Sequence, residues 1–153
     1  MSRAFVKEAD GADQADDLPD RVLSPHPNLV TPAGLAAIEA ELERLHAAAA
    51  ELGDDSIARA HHARDVRYWT ARRATAQVVE PADHPEEVRF GAIVEVLRDD
   101  GRRQTFRIVG EDEADPERGT LSYVSPLARA LMGKAAGDTA PLGGGEVEIV
   151  AIS

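Results

Sequence analysis

Ser122-Tyr123-Val124-Ser125-Pro126-Leu127-Ala128-Arg129-Ala130-Leu131-Met132-Gly133-Lys134 decides how this chain is read. It follows Phe106-Arg107-Ile108-Val109-Gly110 and precedes Ala136-Gly137-Asp138. In physical terms the order is strand, Ser-Pro break, one short helix over Pro126–Met132, then a Gly-rich turn. Around it the apolar period is that of strands: Ala92–Leu97, Gln104–Val109, Leu121–Val124 and Glu146–Ile152. Asp99-Asp100-Gly101 is a hairpin turn signal. Gly143-Gly144-Gly145 lacks the Lys-Ser/Thr ending and following helix of a phosphate loop, and reads as the turn before the last strand. These features predict a compact α+β domain of antiparallel strands with one helix.

Upstream of Pro81 the period changes. Thr31 is a good N-cap, and Pro32 sits at the first helical position, where a missing N–H costs nothing. Leu35, Ile38, Leu42, Leu45, Ala49 and Leu52 then recur at spacings of three and four, an uninterrupted coiled-coil seam. Gly53-Asp54-Asp55-Ser56 stops that helix and starts another. The second is expected to run from Ser56 to Val79, with Ala58, His62, Val66, Trp69, Arg73 and Ala76 on a weaker seam and Trp69 as its anchor. Arg59, Arg64, Arg67 and Arg72 are placed to face Glu39, Glu41, Glu43 and Glu51, which favours an antiparallel hairpin. Each such exposed pair adds only a few tenths of a kcal/mol. The division expected is a disordered acidic tail over 1–28, the hairpin over 29–80, a linker over 81–87 and the β domain over 88–153.

Charge and composition exclude several function classes. The formal net charge is −11, which argues against tight direct binding to nucleic acid, where affinity comes from Lys and Arg on phosphates. Residues 57–79 alone are basic, at +4, beside −5 over 31–56. That basic stretch either pairs with the acidic arm or touches RNA or DNA. No cysteine is present, so disulfides, thiolate metal sites and a Cys nucleophile are excluded. Ser24, Ser56 and Ser125 have no nucleophile context. His61 and Asp65 are one helical turn apart but have no third ligand nearby in sequence. No apolar run approaches the roughly 20 residues that cross a bilayer. Met1-Ser2-Arg3-Ala4-Phe5-Val6-Lys7 has no apolar signal-peptide core, so a cytoplasmic protein is expected. With aromatics at 4%, an aromatic-lined prolyl isomerase pocket is not expected either.

Several separated motifs, in one order, resemble the GreA/GreB family of bacterial transcription factors over most of residues 29–152. They are Thr31-Pro32-Ala33-Gly34-Leu35, Glu41-Leu42-Glu43-Arg44-Leu45, Val66-Arg67-Tyr68-Trp69, Val78-Val79-Glu80, Phe90-Gly91-Ala92-Ile93-Val94, Ile108-Val109-Gly110-Glu111-Asp112-Glu113-Ala114-Asp115 and the Ser-Pro-Leu-Ala-Arg-Ala-Leu run. The resemblance implies an N-terminal antiparallel coiled coil, an FKBP-like C-terminal domain, and RNA polymerase core as partner. It implies that Val124, Ser125 and Pro126 dock on a coiled coil at the rim of the polymerase secondary channel. Val124 stands where GreB-type members often carry Asp.

In the family's cleavage factors the hairpin tip reads Gly-Asp-x-Ser-Glu-Asn-Ala, and its carboxylates help hold a second Mg²⁺ in the polymerase active site. Here the tip is Gly53-Asp54-Asp55-Ser56-Ile57-Ala58, so Asp54 matches the family Asp and Ile57 replaces the Glu. Asp54 and Asp55 are either Mg²⁺-directed or a solvated turn that caps the second helix. Each arm is about ten residues shorter than the family's usual length, which at about 1.5 Å per residue sets the tip on the order of 15 Å short. The expected function is a monomeric elongation factor that is not itself an enzyme, holds no cofactor alone, and meets the RNA and DNA of the elongation complex only indirectly. It binds at the secondary channel and promotes cleavage of backtracked RNA. The alternatives are a channel-binding regulator that does not stimulate cleavage and competes with full-length factors, and a coiled-coil adaptor unrelated to transcription.

Overall fold

The computed structural model describes residues 18–153. The chain divides into two compact units, one taking residues through Pro25 together with Ile38–Thr75, the other His26–Ala37 together with Ala76–Ser153. The architecture is α+β, as expected.

The first unit holds a helical hairpin from Ile38 onward, the opening residues of its first helix being assigned to the second unit. Helix α1 is Pro32–Ala48, continued by a 3-10 turn at Ala49–Glu51, and helix α2 is Ser56–Thr75. On α1 the seam residues Ile38, Leu42 and Leu45 are buried. The antiparallel course follows from contacts at both ends, Leu45 O to His62 Nε2 at 2.6 Å and Glu39 to Arg73 at 3.6 Å. The arginines are distributed differently from expectation: Arg59 lies 3.7 Å from Asp54, and Arg67 is bonded to Asp20. Arginine's long reach lets it take a nearer carboxylate, and none of these pairs is buried.

Two stretches differ from expectation. In the described part of the expected tail, residues 18–28, Asp20 and Arg21 bond α2, Asn28 is buried, and Leu29 N donates to Pro27 O at 3.0 Å. The expected disorder over residues 1–17 lies outside the described residues. The second helix stops at Thr75 rather than Val79, because Gln77–Val78 forms a strand, β2, parallel to β1 at Leu29–Val30. Gln77 N donates to Asn28 O at 2.8 Å and Val79 N to Val30 O at 2.9 Å. Backbone donors satisfied this way no longer need a continued helix.

The second unit is built on a five-stranded sheet in the order β5-β4-β3-β7-β6. The strands are β3 Ile93–Arg98, β4 Arg103–Val109, β5 Thr120–Ser122, β6 Thr139–Leu142 and β7 Gly145–Ile152. Alternate residues Val94, Val96, Phe106, Ile108, Val147 and Ile149 bury one face of the sheet, the period-2 pattern of a half-covered strand. Helix α3, Pro126–Leu131, supplies Ala128 and Leu131 to the same core. Truncating Leu131 there removes contacts of the kind that cost about 2–5 kcal/mol.

The expected all-antiparallel sheet is corrected at one edge, since β5 runs parallel to β4. A tight turn cannot join parallel neighbours. The 3-10 turns Glu111–Glu113 and Pro116–Arg118 carry the chain back to start β5 beside the middle of β4. Both glycine turns form hairpins, with Gly101 at φ 84° between β3 and β4 and Gly143 at φ 61° between β6 and β7. No helix among the described residues is long and apolar enough to cross a membrane.

Candidate functional site

At the hairpin turn, Gly53 adopts φ 59°, the left-handed conformation that lets the chain reverse after the 3-10 turn. Asp55 is the N-cap of α2. Its Oδ1 accepts from Ile57 N at 3.0 Å and Ala58 N at 3.1 Å, and its carbonyl accepts from Arg59 N at 3.0 Å. Two of the four N–H groups orphaned at a helix start are thereby satisfied. Asp54 is fully exposed, with the guanidinium of Arg59 3.7 Å from its carboxylate. The adjacent Ile57 is 52% exposed, an apolar side chain presented at the tip. The two acidic residues singled out in the sequence thus occupy different positions: Asp55 faces its own helix and Asp54 faces solvent.

The Ser-Pro loop lies in the second unit, between β5 and α3. Ser125 caps α3 by accepting from Ala128 N at 3.3 Å, and Pro126 occupies the first turn. Ser122 holds the loop from the other side: its Oγ accepts from Val124 N at 3.3 Å and its carbonyl from Ser125 N at 2.9 Å. Tyr123 packs edge-on against Phe90 at 5.6 Å between ring centroids, and its hydroxyl donates to Pro27 O. Beyond α3, Gly133 N donates to Val88 O at 2.9 Å and Val88 N to Lys134 O at 2.8 Å. Val124, Ser125 and Pro126 therefore form one rigid turn, with Pro126 exposed and the other two half-buried.

Among the described residues His61 and Asp65 do not gather into a metal site. His62 bonds the Leu45 carbonyl, Asp65 lies beside Arg21, and His61 is exposed.

Two arrangements escaped the sequence reading. Glu113 accepts from Thr31 N and Gly110 N, each at 3.0 Å, and from the Thr31 hydroxyl. Arg21 stacks on Tyr68. The first joins residues 82 positions apart, which no local pattern announces. The second leaves a sequence trace only in hindsight, an Asp-Arg pair upstream of an Asp-x-Arg-Tyr-Trp run.

The family profile described as transcription elongation factor GreA/GreB, C-terminal, matches residues 82–153. Transcription elongation factor GreA of Jannaschia sp. (strain CCS1) is 38% identical over 149 residues, covering 81% of this chain and 96% of that protein. The chain belongs to the GreA/GreB family. Transcription elongation factor GreB of Neisseria meningitidis serogroup B (strain ATCC BAA-335 / MC58) is 43% identical over 95 residues, so the match spans only 58% of that relative's length. Among solved structures, GreA factor homolog 1 of Thermus thermophilus aligns over 84% of this chain and 99% of its own at 23% identity, with a TM-score of 0.42.

Within this Gre-family chain the profile takes in the whole five-stranded sheet, α3 and the Ser-Pro loop. The hairpin tip lies outside that profile match.

Proposed function

We propose that this Gre-family chain is a transcription elongation factor that binds core RNA polymerase at its secondary channel. It acts on the polymerase's own chemistry rather than as an enzyme, and it does so as a monomer. The observation that carries this reading is the match to a GreA along 96% of that protein, taken with the rigid Val124-Ser125-Pro126 turn held at the start of helix α3, which is anchored in the core by Ala128 and Leu131. The Ser125 hydroxyl is engaged in capping, so docking rests on the exposed ring of Pro126 and the apolar edge of Val124. That is a hydrophobic contact that loses little entropy on binding, because the loop is already ordered.

The tip then sets what happens inside the channel. A single outward carboxylate, Asp54, fits as one added ligand to a Mg²⁺ held mainly by other groups; it does not fit as a site of its own, because that ion needs several oxygens. Mg²⁺ supplies the activation of water that cuts backtracked RNA. This chain supplies the Asp54 charge at the end of an α1 arm of 17 residues, about 25 Å at 1.5 Å per residue. A second reading is favoured by Ile57, 52% exposed in the first turn of α2, and by the engagement of Asp55 in capping. In it the arms fill the channel without stimulating cleavage and exclude longer factors.

Stalled elongation complexes test both. Shortened transcripts on adding the chain, abolished by Asp54→Ala, support the first reading. Unchanged transcripts together with protection from a cleavage-competent factor support the second. Failure of the chain to co-purify with core polymerase overturns both and leaves the coiled-coil adaptor.

A further inference from the structure

Asp20 and Arg21 lie along α2, and their contacts pair in an ordered way. The Arg21 guanidinium sits 3.8 Å from the centroid of the Tyr68 ring and 5.7 Å from that of Trp69. The two rings meet nearly perpendicular, at 5.0 Å and 86°. One Arg21 nitrogen lies 3.4 Å from Asp65 Oδ1. One residue earlier, Asp20 Oδ1 accepts from Arg67 Nε at 2.7 Å. Asp65, Tyr68 and Trp69 share a helix face because they stand three and four residues apart.

We propose that Asp65, Arg67, Tyr68 and Trp69 form a recognition site for an adjacent carboxylate and guanidinium in an extended peptide, occupied in cis by Asp20-Arg21. The chemistry is selective. A guanidinium stacks on an aromatic face and bonds a carboxylate at its edge in the same pose, which an ammonium does less well. The neighbouring arginine of the site takes the acidic residue, so the order acid-then-arginine is read along with the charges. Glu41 also lies close enough for Arg21 to act on it: its carboxyl is held below the ordinary value chiefly by the hydrogen bond from Arg44, with the Arg21 charge contributing. Two carboxylates around the stacking site repel a phosphate chain, so these observations favour a peptide over a nucleic acid.

Occupation in cis makes residues 18–25 a displaceable strap. The contacts are open to solvent, with Asp20 68% and Arg67 53% exposed. A tethered ligand competes at an effective concentration in the millimolar range, so a partner segment carrying Asp-Arg or Glu-Arg displaces the strap only if it binds more tightly than that. The inference is independent of polymerase binding.

Trp69 is the sole tryptophan of the chain and reports directly on its own site. In the full chain, Arg21→Ala is expected to shift Trp69 emission, with far-UV circular dichroism unchanged. Adding a synthetic peptide of residues 18–25, Leu-Pro-Asp-Arg-Val-Leu-Ser-Pro, should then restore the emission saturably at millimolar concentration. The same peptide with Ala in place of its Arg should have no effect, and Arg21→Lys should lie between variant and parent. Three results would overturn the proposal: parental emission from Arg21→Ala, a peptide response that never saturates, or saturable restoration by a single-stranded oligoribonucleotide instead of the peptide.

Discussion

Glu113 ties the start of α1 to the 3-10 turn that follows β4, 82 residues further along the chain. Its two oxygens accept from Thr31 N, Gly110 N and the Thr31 hydroxyl, while that hydroxyl's oxygen accepts from Gly34 N at 3.0 Å. Thr31 is thus both the N-cap of α1 and a ligand of the carboxylate. Hydrogen bonds to a charged acceptor contribute about 1.5–3 kcal/mol, and removing the acceptor leaves the donors unpaired. Glu113→Ala is expected to cost about that much in urea unfolding, and Glu113→Gln part of it; a change under 0.5 kcal/mol for both would contradict the account. Gly110 lies against the Leu29 carbonyl oxygen so closely that a Cβ would overlap it. Its φ of −70° suits any residue, so the cost of Gly110→Ala is steric, about 1–3 kcal/mol, on the same assay.

Among elements, α1 is the one whose stability responds most simply to acid. Arg44 donates to Glu41 through Nε at 2.9 Å and through a terminal nitrogen at 2.5 Å, across i and i+3. That hydrogen bond, ahead of burial acting the other way, lowers the Glu41 carboxyl from 4.5. A depressed folded value means that the contribution is fully present above 4.5 and fades as pH falls through the lowered value. Helix content should therefore decline below that point in the parent and be flatter in Glu41→Gln, followed by far-UV circular dichroism against pH. Exposure keeps the effect small.

The same scale shows what the sequence carries. The α1 seam, the Gly53 stop and four of the strands were legible, because each is a local period or a local turn. β1 and β2 were not: two residues cannot display a period, and Gln77-Val78 fitted the end of a helix equally well. β6 was missed because Pro141 lies within it; a proline is admitted there only because β6 is an edge strand. For the site, Asp54 and Asp55 stand out by resemblance, while their separation into outward and capping roles is set by the geometry of the turn, which aims one carboxylate at the α2 N–H groups and the other at solvent. The Arg21 stack depends on a contact 47 residues away along the chain, beyond any local rule.

For the whole molecule, the distribution of buried side chains predicts an uneven response to opening. Val94, Val96, Ile108, Leu131 and Ile149 are wholly inaccessible and lie in one cluster, whereas the only residue buried on α2 is Arg72. Native-state hydrogen exchange should find the slowest amides in β3 and β7 and markedly faster ones through α2, since local opening energies follow buried apolar contact. Equal protection of α2 and β3 would contradict this. A net charge of −11 adds self-repulsion that salt relieves. The parallel pairing of β1 with β2 has a further outcome. It fixes the departure and the return of residues 31–76 at neighbouring points, so the excursion behaves as a cassette. Arms of another length can be grafted there, in matched turns, without altering a residue of the sheet, and reach becomes a dimension that evolution adjusts separately from the fold.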